Sequence, residues 1–91
     1  MELAALKGRM CQRVDELAEV LVDVAHQIHD HPELAFEERF AHDLLTSVLD
    51  REGVEVTRGA WGLATAFDAR AGDEGPTAAI CCEYDALPGI G

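Results

Sequence analysis

The sequence predicts an α/β fold, two helices followed by three strands, and three observations carry that expectation. Apolar residues recur at helical spacing through the first half of the chain. After Gly53 the period shortens to two, as in a strand. Near the end, Thr77-Ala78-Ala79-Ile80-Cys81-Cys82 is an uninterrupted run of small and apolar residues. Such a run suits a strand covered on both faces, as at the centre of an α/β sheet.

The first helix rests on Leu3, Leu6, Met10, Val14, Leu17, Leu21, Val24 and Ile28, which follow one another at steps of three or four. They form one apolar stripe, with Asp15, Glu16, Glu19 and Asp23 on the remaining circumference, so the stripe is expected to pack on a sheet or a second helix. Pro32 disfavours helix at His31 and ends the element. A second helix is expected to start around Phe36-Glu37-Glu38, where acidic residues suit the positive end of the helix dipole. Phe36, Phe40, Leu44, Leu45, Val48 and Leu49 are its buried face, and Gly53 is its stop, because glycine tolerates the left-handed conformation there.

Val54-Glu55-Val56-Thr57 alternates as a short first strand, and Leu63-Ala64-Thr65-Ala66-Phe67-Asp68-Ala69 reads as a second. The linker between them carries Trp61 between Gly59 and Gly62, and Trp61 reads as a core plug under a loop ahead of a hinge or a pocket-wall anchor. Ala71-Gly72-Asp73-Glu74-Gly75-Pro76 has the composition of a hairpin-type loop. The buried third strand needs more covering layers than two helices supply. Residues 1–91 are therefore expected to be the N-terminal part of one truncated α/β domain, with no second domain present.

Lys and Arg total 7 against 18 Asp and Glu, a net charge of −11, which argues against nucleic acid or an anionic membrane as partner. Nothing approaches the apolar length of a membrane span, and the first residues lack the basic and apolar regions of a leader. Three cysteines, two of them adjacent, make a poor disulfide framework, so a reduced cytoplasmic setting is expected.

Chemistry concentrates after the apolar run. Glu83 and Asp85 follow its C-terminal end, where sites of open α/β sheets lie. On an extended chain, carboxylates one residue apart share a side. There they could hold a hard cation, orient a ligand histidine or act as acid and base. The local pattern also fits a plain polar strand end followed by a turn. His26, His29, His31 and His42 lack the three or four well-placed partners of a zinc site. His26, His29 and His31 read instead as residues at a helix end, favouring its last carbonyls. Cys81 and Cys82 read as small core hydrophobes, since a nucleophilic thiol needs an electropositive, partly exposed setting and these are followed by carboxylates. Ser47, the one serine, sits mid-helix, so a serine nucleophile elbow is absent.

Two segments together resemble a known family. His29-Asp30-His31-Pro32-Glu33-Leu34-Ala35-Phe36-Glu37-Glu38, followed by an amphipathic helix, resembles the N-terminal signature of the aminoacylase/carboxypeptidase-type metallopeptidases. Glu83-Tyr84-Asp85-Ala86-Leu87-Pro88-Gly89-Ile90-Gly91 resembles the first active-site strand and loop of their amidohydrolase branch, with wording most similar to the dipeptidase-like subgroup.

The resemblance implies a phosphorylase/hydrolase-like catalytic α/β domain, two divalent metal ions (zinc or manganese) and an inserted dimerisation domain, hence a homo-oligomer. It implies hydrolysis of the amide bond of an N-acyl amino acid or dipeptide by metal-activated water, with a glutamate as general base. Asp85 matches the aspartate that supports the metal site and orients a ligand, and it is the one catalytic-site candidate. Glu83 stands where sister branches place a ligand histidine. The segment that supplies metal ligands would begin after Gly91, so no metal ligand is assigned within the chain. The chain alone is accordingly expected to bind no metal tightly and to be inactive. The alternative is a non-enzymatic module that presents its long amphipathic helix to a partner groove.

Overall fold

The computed structural model describes residues 2–89. Three helices, α1 (Leu3–Glu16), α2 (Ala18–Asp30) and α3 (Arg39–Arg51), precede two strands, β1 (Glu55–Arg58) and β2 (Phe67–Arg70). The strands form one antiparallel pair, with Glu55 opposite Arg70 and Arg58 opposite Phe67. The α/β class stands, whereas the elements differ from expectation at both ends of the chain. No helix among the described residues is long and apolar enough to cross a membrane.

The expected first helix is broken at Leu17, although neither glycine nor proline stands there. The Leu17 N–H is shared between the carbonyls of Arg13 and Val14, both at 3.1 Å, which tightens the last turn of α1. The apolar stripe splits with it. Val24 and Ile28 on α2 are half-buried, whereas Leu3, Met10 and Val14 on α1 are exposed. The expected packing of that stripe is therefore met only at Leu17, Val24 and Ile28, and Leu21 is exposed like the α1 residues. An ion pair from Arg13 to Glu52, at 2.6 Å, ties the end of α1 to the end of α3.

The helix expected from Phe36 starts at Arg39 instead. Phe36 takes a left-handed φ of 68°, and the Glu37 N–H closes a turn onto the Leu34 carbonyl at 2.9 Å, so helical geometry cannot begin there. The orphan donors of the new N-terminus are met from a distance. The Glu33 carboxylate accepts from the Phe40 N–H at 2.8 Å and the Ala41 N–H at 2.9 Å. Burial by itself would raise the Glu33 pKa. The backbone donors of Ala41, Phe40 and Arg39, helped by the charge of His31, outweigh it and hold the carboxyl below its ordinary 4.5.

At the other end of α3 the expected stop is in place. Gly53 has φ 81°, its N–H bonds the Asp50 carbonyl, and the Val54 N–H reaches back to Leu49, which is a Schellman motif. The side of α3 that faces the strands carries the best-buried side chains, Ala41, His42 and Thr46. Thr46 is fully buried; its hydroxyl donates to the His42 carbonyl at 2.7 Å and accepts from Arg58 Nε at 3.2 Å, joining α3 to β1.

Three expectations after Arg58 are corrected. The second strand begins at Phe67, because Leu63–Ala66 is spent on a turn closed by the Ala66 N–H on the Leu63 carbonyl at 3.0 Å. Trp61 is not a core plug: it has φ 54° and is 74% exposed. The third strand, 77–82, does not form, and Ile80, Cys81 and Cys82 are exposed rather than buried. A central strand needs hydrogen-bonding neighbours on its edges, and among the described residues β1 and β2 pair only with each other. The segment touches the fold just beyond that run. Leu34 and Ala86 form an isolated parallel bridge, with the Ala86 N–H on the Glu33 carbonyl at 2.6 Å.

Candidate functional site

That bridge delivers Glu83–Asp85 to the N-terminal end of α3. Burial alternates along the segment: Glu83 and Asp85 are exposed, Tyr84 and Ala86 half-buried. This is the period of an extended chain, and it puts the two carboxylates on the outer side, as expected from their spacing. Together with Phe36, Glu38, Thr65 and Tyr84 they line a shallow cleft of about 190 Å³.

The inner side of the segment is held by Tyr84. Its ring stacks on Phe67 of β2, with centroids 5.9 Å apart and planes at 19°. Phe67 in turn meets the edge of His42 on α3 at 6.1 Å. The Tyr84 hydroxyl donates to the Thr65 carbonyl oxygen. The Thr65 hydroxyl donates to Glu38 Oε1 at 2.9 Å, and Thr65 itself is buried. Burial first, and the negative charge of Glu38 second, push the Tyr84 phenol above its ordinary value of 10.0. The shift favours the protonated phenol, the form that donates.

Glu38, Glu83 and Asp85 make the cleft acidic. Among the described residues, no three His, Cys, Asp or Glu side chains stand close enough together to hold a metal ion. The histidines are dispersed. His31 stacks on Phe40 at 3.9 Å, and its Nδ1 bonds the Gln27 carbonyl at 2.8 Å, the helix-end role its position suggested. His42 is buried beside Asp43, with Nδ1 at 3.0 Å from the carboxylate and Nε2 without a hydrogen-bond partner among the described residues. His26 and His29 are exposed on α2.

Of the residues singled out in the sequence, Glu83 and Asp85 come together at the cleft, and Cys82 stands on its wall. Glu38, Thr65 and Tyr84 were not among the candidate site residues. Tyr84 had one available signal, an aromatic ring between two acids on an alternating segment. Thr65 and Glu38 had none, since their pairing spans 27 residues.

No family model matches the chain. Individual proteins do. The chain is 40% identical, over 99% of its length, to an Xaa-Arg dipeptidase of Mus musculus, of which it covers 23%. It is 44% identical, over 75% of its length, to a p-aminobenzoyl-glutamate hydrolase polypeptide of Escherichia coli, of which it covers 14%. It is 34% identical, over 82% of its length, to a thermostable carboxypeptidase 2 of Saccharolobus solfataricus, of which it covers 19%. The chain thus spans a quarter or less of the length of these relatives.

The relatives are peptidases and hydrolases by name. It belongs to the aminoacylase/carboxypeptidase family of peptidases and amidohydrolases, on its dipeptidase-like side.

Proposed function

We propose that this chain supplies the first part of the catalytic domain of an amidohydrolase that cleaves the amide bond of dipeptides or N-acyl amino acids. One coincidence carries the reading. Glu83-Tyr84-Asp85, whose wording resembles the family's active-site loop, is also the segment that the fold anchors at the wall of an acidic cleft. The names of the relatives, dipeptidase and aminobenzoyl-glutamate hydrolase, support small amide substrates.

The reading calls for a divalent cation, zinc or manganese. The described side chains of this chain do not fit a metal centre by themselves, because no group of three ligating residues converges. In this reading the contribution of the chain is the segment that carries Asp85. Asp85 supports a ligand rather than binding the metal itself, and the isolated chain is inactive. In this reading the whole protein is a cytoplasmic homo-oligomer. The net charge of −11 disfavours nucleic acid and anionic membrane as partners.

The test is a chimera in which this chain replaces the matching segment of the mouse dipeptidase. The chimera is expected to hydrolyse dipeptides, and Asp85→Asn to lower kcat/KM by about 10- to 100-fold. The 91-residue chain with zinc or manganese is expected to give no turnover above blank. A folded chimera without activity, or one indifferent to Asp85→Asn, overturns the reading. The exposed face of α1, with Leu3, Met10 and Val14, favours a second reading, a helix-presenting binding module. That module would leave the chimera inactive.

A further inference from the structure

We propose that Tyr84 is a positioning residue for Asp85, and that Thr65 and Glu38 form the seat that holds it. The inference rests on the amidohydrolase reading and concerns how this chain orients its carboxylate.

Three observations support it. First, Glu83–Ala86 is not held as a member of the sheet. It bridges the fold only through Ala86 on the Leu34 side and through the Tyr84 side chain, among the contacts described. A segment without ladder bonds takes its position from those attachments. Second, the Tyr84 attachment is directional as well as apolar. Stacking on Phe67 fixes the ring, and the hydroxyl bond to the Thr65 carbonyl fixes its reach. Third, Thr65 is itself buried and bonded through its hydroxyl to Glu38, the residue at the N-cap position of α3. The chain of contacts runs from α3 through Glu38 and Thr65 to Tyr84, and Asp85 is the next residue.

Alternation turns this anchorage into orientation. With Tyr84 held inward, its neighbour Asp85 is turned to the exposed side of the segment, at the rim of the cleft that both residues line. Loss of the hydroxyl leaves the ring stacked and removes the stop that sets its depth. The carboxylate is then free to shift, and a displacement of about 1 Å at a reacting centre can cost on the order of a hundredfold in rate.

The test uses the chimera with the mouse dipeptidase, in which the unsubstituted chain first decides the functional reading. Tyr84→Phe is expected to lower kcat about tenfold while KM stays within about twofold. Amide exchange should quicken at 83–86 and stay unchanged in α3. Thr65→Val, close in shape but without the hydroxyl, should act in the same direction, and Thr65→Ser should restore the rate. An active chimera whose kcat is indifferent to Tyr84→Phe overturns the inference and leaves the functional reading intact. A fall in rate with faster exchange throughout α3 also overturns it, because the role is then general stability. A folded but inactive parent chimera overturns the functional reading, and the positioning role falls with it.

Discussion

Residues 33–70 and the segment 71–82 are of similar apolar character, yet the fold treats them in opposite ways. The first region holds the buried residues Ala41, His42, Thr46, Ala60 and Thr65, and the hydroxyls of Thr46 and Thr65 pair with Arg58 and Glu38 from other parts of the chain. The second exposes Ile80 to 88%. The difference does not lie in hydrophobicity. In 33–70 each element finds its partner within a few dozen residues: α3 packs on β1 and β2, and the strands pair across a short connection. Thr77–Cys82 carries a pattern that calls for neighbours on both edges and both faces, and none of the described elements supplies them. Local sequence prepares a strand; non-local partners make one.

This contrast can be broken or sharpened by substitution. The largest effect is expected at Thr46, where Val keeps the shape but leaves Arg58 Nε and the α3–β1 link without the hydroxyl. Loss of a buried hydrogen bond of this kind costs about 2 kcal/mol, to be read as faster amide exchange in α3 and β1. Glu33→Ala should cost about 1 kcal/mol, the usual cost of a lost helix cap. Its pH signature is definite. Because the folded carboxyl titrates below the ordinary 4.5, its contribution is complete above that value and disappears as the pH falls through the folded value. Acid unfolding of the unsubstituted chain should therefore lose this stabilisation, and that of Glu33→Ala should not.

A smaller effect belongs to the alkaline side. Tyr84 is the single tyrosine, so phenolate absorbance follows it alone. Its folded pKa lies above the ordinary 10.0, so the stabilisation is full below that value and is lost as pH rises through the folded one. The absorbance midpoint should return to the ordinary value in denaturant and move toward it in Glu38→Gln. The smallest effect is expected at Ile80→Ser, within about 0.5 kcal/mol in the 91-residue chain, because an exposed side chain loses no packing. A large destabilisation there would abolish the contrast between the two regions. In the chimera the same substitution should be costly if the segment gains its neighbours.

Much of the helical part was legible from local signals. The stop at Gly53 followed from the left-handed freedom of glycine, and the Schellman bonds of Gly53 and Val54 realise it. The spacing of Glu83 and Asp85 anticipated a shared side, and burial alternates accordingly. The start of α3 was not legible. Acidic residues at Glu37 and Glu38 suggested an earlier first turn, but Phe36 adopts positive φ and the cap comes from Glu33, seven residues before Phe40. No short-range capping pattern spans that distance. The break at Leu17 had no local signal either, since its neighbours are good helix formers.

By itself the sequence determined the α/β class, the helical stripes, the acidic surface and the resemblance of two segments to a hydrolase family. These depend on periodicity, charge and short motifs, which are properties of neighbours along the chain. The tertiary structure decided where α3 begins, which residues of the first stripe are covered, and that Tyr84 seats on Thr65 beside Asp85. Those outcomes depend on groups far apart in sequence meeting in space, as Glu33 meets the N–H groups of α3 and Glu38 meets Thr65. Hydrogen bonds of that range are chosen by the packing of whole elements, so no window of neighbouring residues contains them.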